Sequence, residues 1–571
     1  MAALGAWAIR RRAAAPKPCP MRPLEFLPAG TRRPMQLAAV KDLLEPSAAG
    51  GLGPAPEAKP QPPQQDLQNA PVVLIEDGIV AVYPVDPNTV PGCKAEYTAA
   101  DGETRAGVVI AVRKCVAFVL PASLDASELS VGTDVKIVRD VYNICAGASA
   151  TGRVLGALGR PADGGPALSA SASGVRETPL IQRVRTVDER KKIRRNLHTG
   201  VKLVDLIAPL GCGQFLLLIG ESGTGKTSLC LDAARGQRGM GTVAVYAALS
   251  RAPEDSDAVV AGLQSTGAMD WTTVVTAAPD APVVERAAAL FTAFAAAEAV
   301  RDSGGDALLL LDDMSCLTDL WQMIVQMDNK ISTPTSEAPE EGAENEKSEE
   351  EMVEYEGMLV TAESAERRRL LSTTVQRAAQ MSDANGGGSC SVLGVMPAQV
   401  GAYSPGGLKK ATIDVSKYET LSEEQKAKLV AALEKRAQVE AAAAEQSGGI
   451  SRETIEEYMS ISDGQIFLEK PTAAAGWNPS VLMTISRLGL DAATPAMRQL
   501  DGARIRLDIL QADDAASNSS NAAAQRQERE RAAMLREVLR QQAGHPLTLG
   551  ETVAVAFAVQ DGFFDGVPAA Q

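Results

Sequence analysis

The chain has 571 residues, enough for more than one hydrophobic core, and its 45% apolar content is that of a globular protein. A formal charge of −15 excludes a general nucleic-acid binder, which would carry a basic stripe. Eight cysteines without CxxC spacing suit a reducing compartment and, with only two histidines (His198 and His545), exclude a metal cage, a His-based metal site and a serine triad.

Residues 1–45 open on MAALGAWAIRRRAAAPKPCPMRP, which holds four arginines and one lysine before the first acid, Glu25. An Ala- and Arg-rich, acid-free segment reads as an organelle transit peptide. Residues 46–70, rich in Pro, Ala and Gln, read as a flexible linker. Over 71–161, short β-rich runs (PVVLIEDGIVAVYPV, TRAGVVIAV, CVAFVLP, DVKIV) are spaced as in a small β-barrel.

From 162 to 494 apolar strands alternate with helical segments, the pattern of a doubly wound α/β P-loop domain. Two stretches interrupt it. An acidic one, at about 330–357, carries SEAPEEGAENEKSEEEMVEYE and reads as a solvated loop. A charged one, at about 408–458, contains LSEEQKAKLVAALEKRAQVEAAAAEQ and reads as one exposed helix. Residues 495–571 read as a C-terminal helical domain, with QRQERERAAMLREVLRQQ strongly amphipathic. No run of about 18 uncharged apolar residues marks a membrane span, so any membrane function must come through partners.

The most informative stretch is FLLLIGESGTGKTSLC, residues 215–230. It holds the pattern G-x-x-x-x-G-K-[ST], formed by Gly220, Glu221, Ser222, Gly223, Thr224, Gly225, Lys226 and Thr227. The glycines let successive N–H groups point at a phosphate, Lys226 adds a point charge near the β- and γ-oxygens, and the Thr227 hydroxyl can ligate Mg²⁺. The helix that follows contributes the partial positive charge of its N-terminus. Downstream, ALLLLDDMS (307–315) is an apolar strand ending in two carboxylates. Asp312, the first after the apolar run, is the candidate second Mg²⁺ ligand at the carboxyl end of a strand beside the phosphate loop. ATP or ADP with Mg²⁺ is the expected ligand.

Several segments together resemble the α-subunits of F-type ATP synthases. They are TGVKLVDLIAPLGCGQ (199–214), GRVLGALGRPADGG (152–165), QRAAQMSDANGGGS (376–389), SDGQIFLE (462–469), TISRLG (484–489), PAMRQLDG (495–502) and LTLGETVAVAFAVQDGFFDGV (547–567), in the family's order. The resemblance covers roughly residues 71–571, broken by the two charged stretches. It implies a barrel, a RecA-like P-loop domain and a helical domain, in a hetero-oligomeric ring with β-like catalytic chains around a central shaft and a peripheral stalk. It also implies a role in ATP synthesis coupled to proton transport, with the membrane reached only through partner subunits and no nucleic acid involved.

In-line attack on a γ-phosphate needs a carboxylate to orient the water. The family's catalytic subunits carry that glutamate just after the strand matched here by TVAVYAAL (242–249), and the alignment puts Arg251 in its place. Glu254 and Asp255 are the nearest substitutes. The resemblance therefore implies that this chain holds nucleotide with little turnover. Gly223 stands where α-subunits typically carry glutamine, and ADDAASNSSNAAA departs from the family's adenine-facing pattern.

The resemblance gives Arg487 the largest role: in α-subunits the matching arginine reaches into the neighbouring catalytic site, where its guanidinium stabilises charge on the transferring phosphoryl group. Thr484 and Ser486 flank it and are expected to shape the same interface. The transit segment implies a mitochondrial protein on the matrix side of the inner membrane, with the plastid stroma as the alternative. Two rival readings stay open: an autonomous β-like or secretion-type ATPase, which Gly223 favours, and a divergent structural or assembly paralogue, which the two charged stretches favour.

Overall fold

The computed structural model describes residues 69–250, 253–278, 280–332, 352–355, 358–399, 449–470, 477–500, 504–518, 522–564 and 567. The expected transit segment, the linker as far as residue 68, most of the acidic stretch and the long charged helix expected within 408–458 lie outside the described residues, whereas residues 69 and 70, expected in the linker, open the first barrel strand.

Six strands close into a barrel: β1 (Asn69–Glu76), β2 (Ile79–Val82), β3 (Cys93–Thr98), β4 (Thr104–Arg113), β5 (Val116–Pro121) and β6 (Asp134–Val141), in the order β1-β2-β5-β4-β3-β6. The pairing of Ala70 with Val135 closes it. Closure removes the unpaired edges that would invite another chain. Two hairpins turn on residue pairs with positive φ, Asp77–Gly78 and Lys114–Cys115, the backbone that two-residue loops with the strands' right-handed twist require. Val80, Val82, Val109, Val119 and Val135 fill the interior.

Between barrel and main sheet come β7 (Asn143–Ala146), β8 (Val154–Leu155) and β9 (Arg176–Pro179); β7 pairs with β9, while β8 joins the far edge of the main sheet. That sheet is built on β10 (Phe215–Gly220), β11 (Thr242–Ala248), β12 (Thr272–Thr276) and β13 (Asp306–Asp312). After the hairpin β14 (Met352–Tyr355) and β15 (Met358–Thr361) it continues with β16 (Ala379–Gln380), β17 (Ser389–Pro397), β18 (Gly464–Glu469), β19 (Asn478–Pro479) and β20 (Ile485–Ser486). The order β19-β18-β10-β17-β13-β11-β12-β8 puts one strand, β17, between the phosphate-loop strand and the strand of Asp312. β8, β10–β13, β17 and β18 run parallel, so their carboxyl ends share one edge.

Helices α1 (Lys202–Ile207), α2 (Lys226–Arg235), α3 (Pro253–Gln264), α4 (Val283–Arg301), α5 (Ser315–Ser332) and α6 (Ala362–Val375) cover the sheet. α4 is the most enclosed, and its run of alanines lets it approach the sheet closely. Near its end Arg377 donates to Glu298 at 2.6 and 3.1 Å and lies over the Phe294 ring at 4.6 Å, a fully enclosed ion pair with an aromatic floor.

The structure draws both charged stretches more narrowly than the sequence does. Residues 330–332 are the last turn of α5, and 352–355 form one arm of a hairpin. Residues 452–461 form a helix capped by Ser451, with Ile455 and Tyr458 buried, so they belong to the nucleotide domain's core. Amphipathic spacing, rather than charge, decides which face of such a helix is buried. The C-terminal region is helical as expected: Pro495–Gln499, Arg504–Asn518, Ala522–Leu539 and Leu549–Gln560, the last opened by a Thr548–Glu551 capping box. No helix among the described residues is long and apolar enough to cross a membrane.

Candidate nucleotide-binding site and interface arginine

Every residue of β10 is buried, because β17 and β18 pair with it on both sides. The chain leaves this core at Gly220, where an added Cβ would lie 2.7 Å from both Leu468 O and Thr224 Oγ1. Gly223 (φ +78°) and Gly225 (φ +86°) take the left-handed backbone that curls the loop into the start of α2. Ser222 and Gly223 are exposed at the tip, and nothing lies within 4 Å of a Cβ built on Gly223.

Inside the loop, Glu221 O accepts from Lys226 Nζ at 2.7 Å and from Thr224 Oγ1 at 2.9 Å. Lys226 is buried, which lowers its pKa, while Asp312 and Asp313 act in the opposite sense. A buried ammonium held on a backbone carbonyl is poised for a stronger acceptor such as phosphate.

Asp312 ends β13 at the same edge. It accepts from Tyr246 Oη on β11 at 2.8 Å and from the Thr227 side chain. Burial pushes its carboxyl up to about 6, against the lowering effect of those two donors. Asp313, also pushed up by burial, turns to the backbone N–H and hydroxyl of Ser315. The structure thus brings Lys226, Thr227 and Asp312 together, and it adds Tyr246, which the sequence reading missed. A tyrosine inside an otherwise apolar strand was the available signal, because a buried phenol seeks a partner.

These residues fit a Mg-nucleotide. The loop offers backbone donors at the N-terminus of a ten-residue helix, and the Thr227–Asp312 pair offers hard oxygen ligands. Among the described residues no three His, Cys, Asp or Glu side chains form a metal cage, so an ion here would complete its shell from phosphate and water.

The position expected for a catalytic carboxylate follows β11. Leu249 N donates to Asp312 O at 2.6 Å, and the chain then passes Ser250. Arg251 lies outside the described residues, as do the side chains of Glu254 and Asp255 at the start of α3.

Arg487 lies at the other edge of the sheet. β20 pairs antiparallel with the amino end of β18, Ser486 opposite Gly464, whereas Gly220 lies opposite Leu468. Four residues of strand, on the order of 13 Å, separate the two levels. The Arg487 guanidinium is exposed and donates to Ser460 O (2.9 Å) and Met459 O (2.6 Å) at the C-terminal end of helix Arg452–Ile461. Its backbone N–H donates to Asp463 O at 2.9 Å, and Asp463 Oδ2 accepts from Phe215 N at 2.9 Å, so SDGQ anchors both the phosphate-loop strand and the arginine.

Thr484 is fully buried and accepts from Phe467 N at 3.1 Å, so its hydroxyl serves the strand beneath the arginine. The Ser486 hydroxyl is enclosed without a hydrogen-bond partner and borders a cavity of about 140 Å³ shared with Leu206, Ile207 and Met497. The lead-in to the phosphate loop closes on itself: Asp205 accepts from Thr199 N, Thr199 Oγ1 and Gly200 N at 2.8–3.0 Å. The helix ending at Asn518 and the one starting at Ala522 take up most of ADDAASNSSNAAA.

The family described as "ATP synthase alpha/beta family, nucleotide-binding domain" matches residues 200–339. ATP synthase subunit alpha of Lawsonia intracellularis (strain PHE/MN1-00) is 30% identical over 450 residues, spanning 78% of this chain and 74% of that protein. A phosphate loop, a carboxylate on the strand two positions away and sequence identity over most of both chains converge on one conclusion: this chain belongs to the ATP synthase alpha/beta family.

Proposed function

We propose that this chain is an α-like subunit of a proton-translocating F-type ATP synthase, one that holds Mg-nucleotide without turning it over and lends Arg487 to the catalytic site of a β-like neighbour. The observation that carries this reading is the placement of Arg487 at the sheet edge opposite the chain's own phosphate loop, exposed and aimed away from it. An arginine so placed lies away from the chain's own phosphate loop, which supports a role in a neighbouring chain's chemistry.

Bound Mg²⁺ would neutralise charge between the β- and γ-phosphates. The chain's own residues do the rest. Backbone N–H groups of Ser222–Lys226 and the α2 N-terminus hold the phosphates, and Lys226 exchanges its carbonyl partner for them. Thr227 and Asp312 would hold the ion, and Tyr246 keeps the Asp312 carboxylate oriented. With Arg251 at the position of the catalytic glutamate, no side chain is assigned to activate water. Arg487, planar and always charged, supplies two donors to developing phosphoryl charge next door.

The partners are β-like chains, a central shaft and a peripheral stalk, and the compartment is the mitochondrial matrix face of the inner membrane. Tagged protein drawn from gently solubilised organelles tests this. Recovery at parity with a β-like chain and with shaft subunits is expected; recovery alone, or with assembly factors only, rules the reading out.

A further inference from the structure

Trp477 is absent from every motif in the sequence, yet it is fastened to the phosphate loop. Its indole is 6% exposed, and Nε1 donates to Gly225 O at 2.9 Å. That carbonyl also accepts the first helical bond of α2, from Leu229 N at 3.0 Å. A Cβ on Gly225 would lie 2.9 Å from Trp477 Cδ1, so the ring rests directly on the backbone that presents Lys226 and Thr227. From the same side, Lys470 Nζ reaches Glu221 at 2.9 Å.

The chain from Trp477 then runs back along β18 to Arg487, bonded to it on either side of a turn at residues 481–483. Asn478 and Pro479 pair with Glu469 and Leu468, Ser480 N donates to Phe467 O at 2.9 Å, and Thr484 Oγ1 accepts from Phe467 N at 3.1 Å. Ile485 and Ser486 pair with Gln465 and Gly464, and Arg487 N ends the ladder on Asp463 O. One return segment therefore touches the phosphate loop at one end and carries the exposed arginine at the other.

We propose that Trp477 is a positioning residue that ties the phosphate loop to the Trp477–Arg487 segment, so that nucleotide in the loop also steadies Arg487; this rests on the nucleotide-holding role proposed above. Ordering of the loop fixes the Gly225 peptide, the indole follows that peptide, and the return segment follows the indole. Coupling of this kind is reciprocal, so engagement of Arg487 by a neighbour tightens the loop on its own nucleotide.

The test titrates full-length chain, W477F and W477A with Mg-ATP by calorimetry and follows hydrogen exchange over residues 480–489 with and without Mg-ATP. W477F keeps a smaller aromatic ring and loses the N–H, and about a fivefold loss of affinity is expected, the worth of one hydrogen bond. Mg-ATP should slow exchange at 480–489 in the wild type, less in W477F and not in W477A, with barrel strands β4 and β5 unaffected in all three. Equal affinity and equal protection in W477F would overturn the proposal, and this variant decides alone if W477A fails to fold. Binding by the wild type without protection at 480–489 overturns the coupling only. No binding by the wild type overturns the nucleotide-holding reading and this inference with it.

Discussion

The Tyr246 hydroxyl donates to Asp312 Oδ2 over 2.8 Å, in the floor of a site whose other members are Lys226 and Thr227. Two adjacent parallel strands, β11 and β13, make that contact possible, with Ala248 paired to Asp312. The bond aims one carboxylate oxygen and leaves the rest of the group toward Thr227, as an ion-holding pair requires.

Asp312 sets a pH window. Burial raises its folded value to about 6 from an ordinary 3.8, so below pH 3.8 the carboxyl is protonated in both states and costs nothing. As pH rises through that interval the unfolded chain ionises first, and folding stability is lost. D312N should therefore gain stability relative to wild type between pH 4 and 7, reaching on the order of 3 kcal/mol, by urea denaturation. In the wild type, the part of ATP affinity that depends on Mg²⁺ should fall as pH drops below 6, because a protonated carboxyl is a poor ligand; D312N should show no such dependence.

Lys226 is buried at the cost of a lowered pKa, so its removal relieves a desolvated charge but takes a counter-charge from Asp312 and Asp313, and the two effects offset. K226M should keep the wild-type Tm and lose Mg-ATP affinity by about 100-fold, since a charged hydrogen bond to phosphate is lost with nothing in its place. Calorimetry and a thermal melt on the same sample check both halves.

Arg487 should be silent in the isolated chain. R487A is expected to bind Mg-ATP as the wild type does, and to lower the ATPase rate of the assembled complex by about 10³. R487K should not restore it, since an ammonium cannot make the planar two-donor contact. A matched loss of nucleotide binding in the isolated chain would count against a role in a neighbour's site.

Glu298 and Arg377 are a coupled structural pair. E298Q leaves the guanidinium buried without its counter-charge, and a destabilisation of about 3–5 kcal/mol is expected by chemical denaturation.

His198 ties the phosphate-loop lead-in to the C-terminal region. Its Nδ1 lies 3.0 Å from Asp205 Oδ2 and its Nε2 2.9 Å from Leu547 O, two acceptors that suit an imidazolium donating from both nitrogens. Burial opposes the charge, but Asp205 and the Leu547 carbonyl outweigh it, so the pKa is raised above 6.5. The stability it contributes is full below pH 6.5 and is lost as pH rises through the folded value. H198Q should flatten this decline, read as Tm against pH from 6 to 9.

Much of the site was legible because its chemistry demands particular residues. The φ of Gly223 and Gly225 favours glycine, and a Lys followed by a hydroxyl suits a phosphate and its metal, so GESGTGKT shows in the chain itself. The barrel was legible for a similar reason: Asp77–Gly78 and the alternation of Val135 and Ile137 are local signals. The partners of Tyr246, Asp463 and Trp477 were not, since each acts on a residue distant in the chain and nothing near it in sequence marks that residue.

By itself the sequence determined the phosphate loop, the carboxylate after ALLLL, the barrel-sheet-helix order and the resemblance that singles out Arg487. These rest on backbone conformation and periodicity, which are properties of neighbouring residues. Only the tertiary structure decided that Asp312 is raised by burial, that residues 452–461 are core despite their charge, and that Arg487 faces away from its own phosphate loop. Burial, register and direction depend on which strands lie side by side, and that order, with β17 between β10 and β13, arises only when the chain has folded.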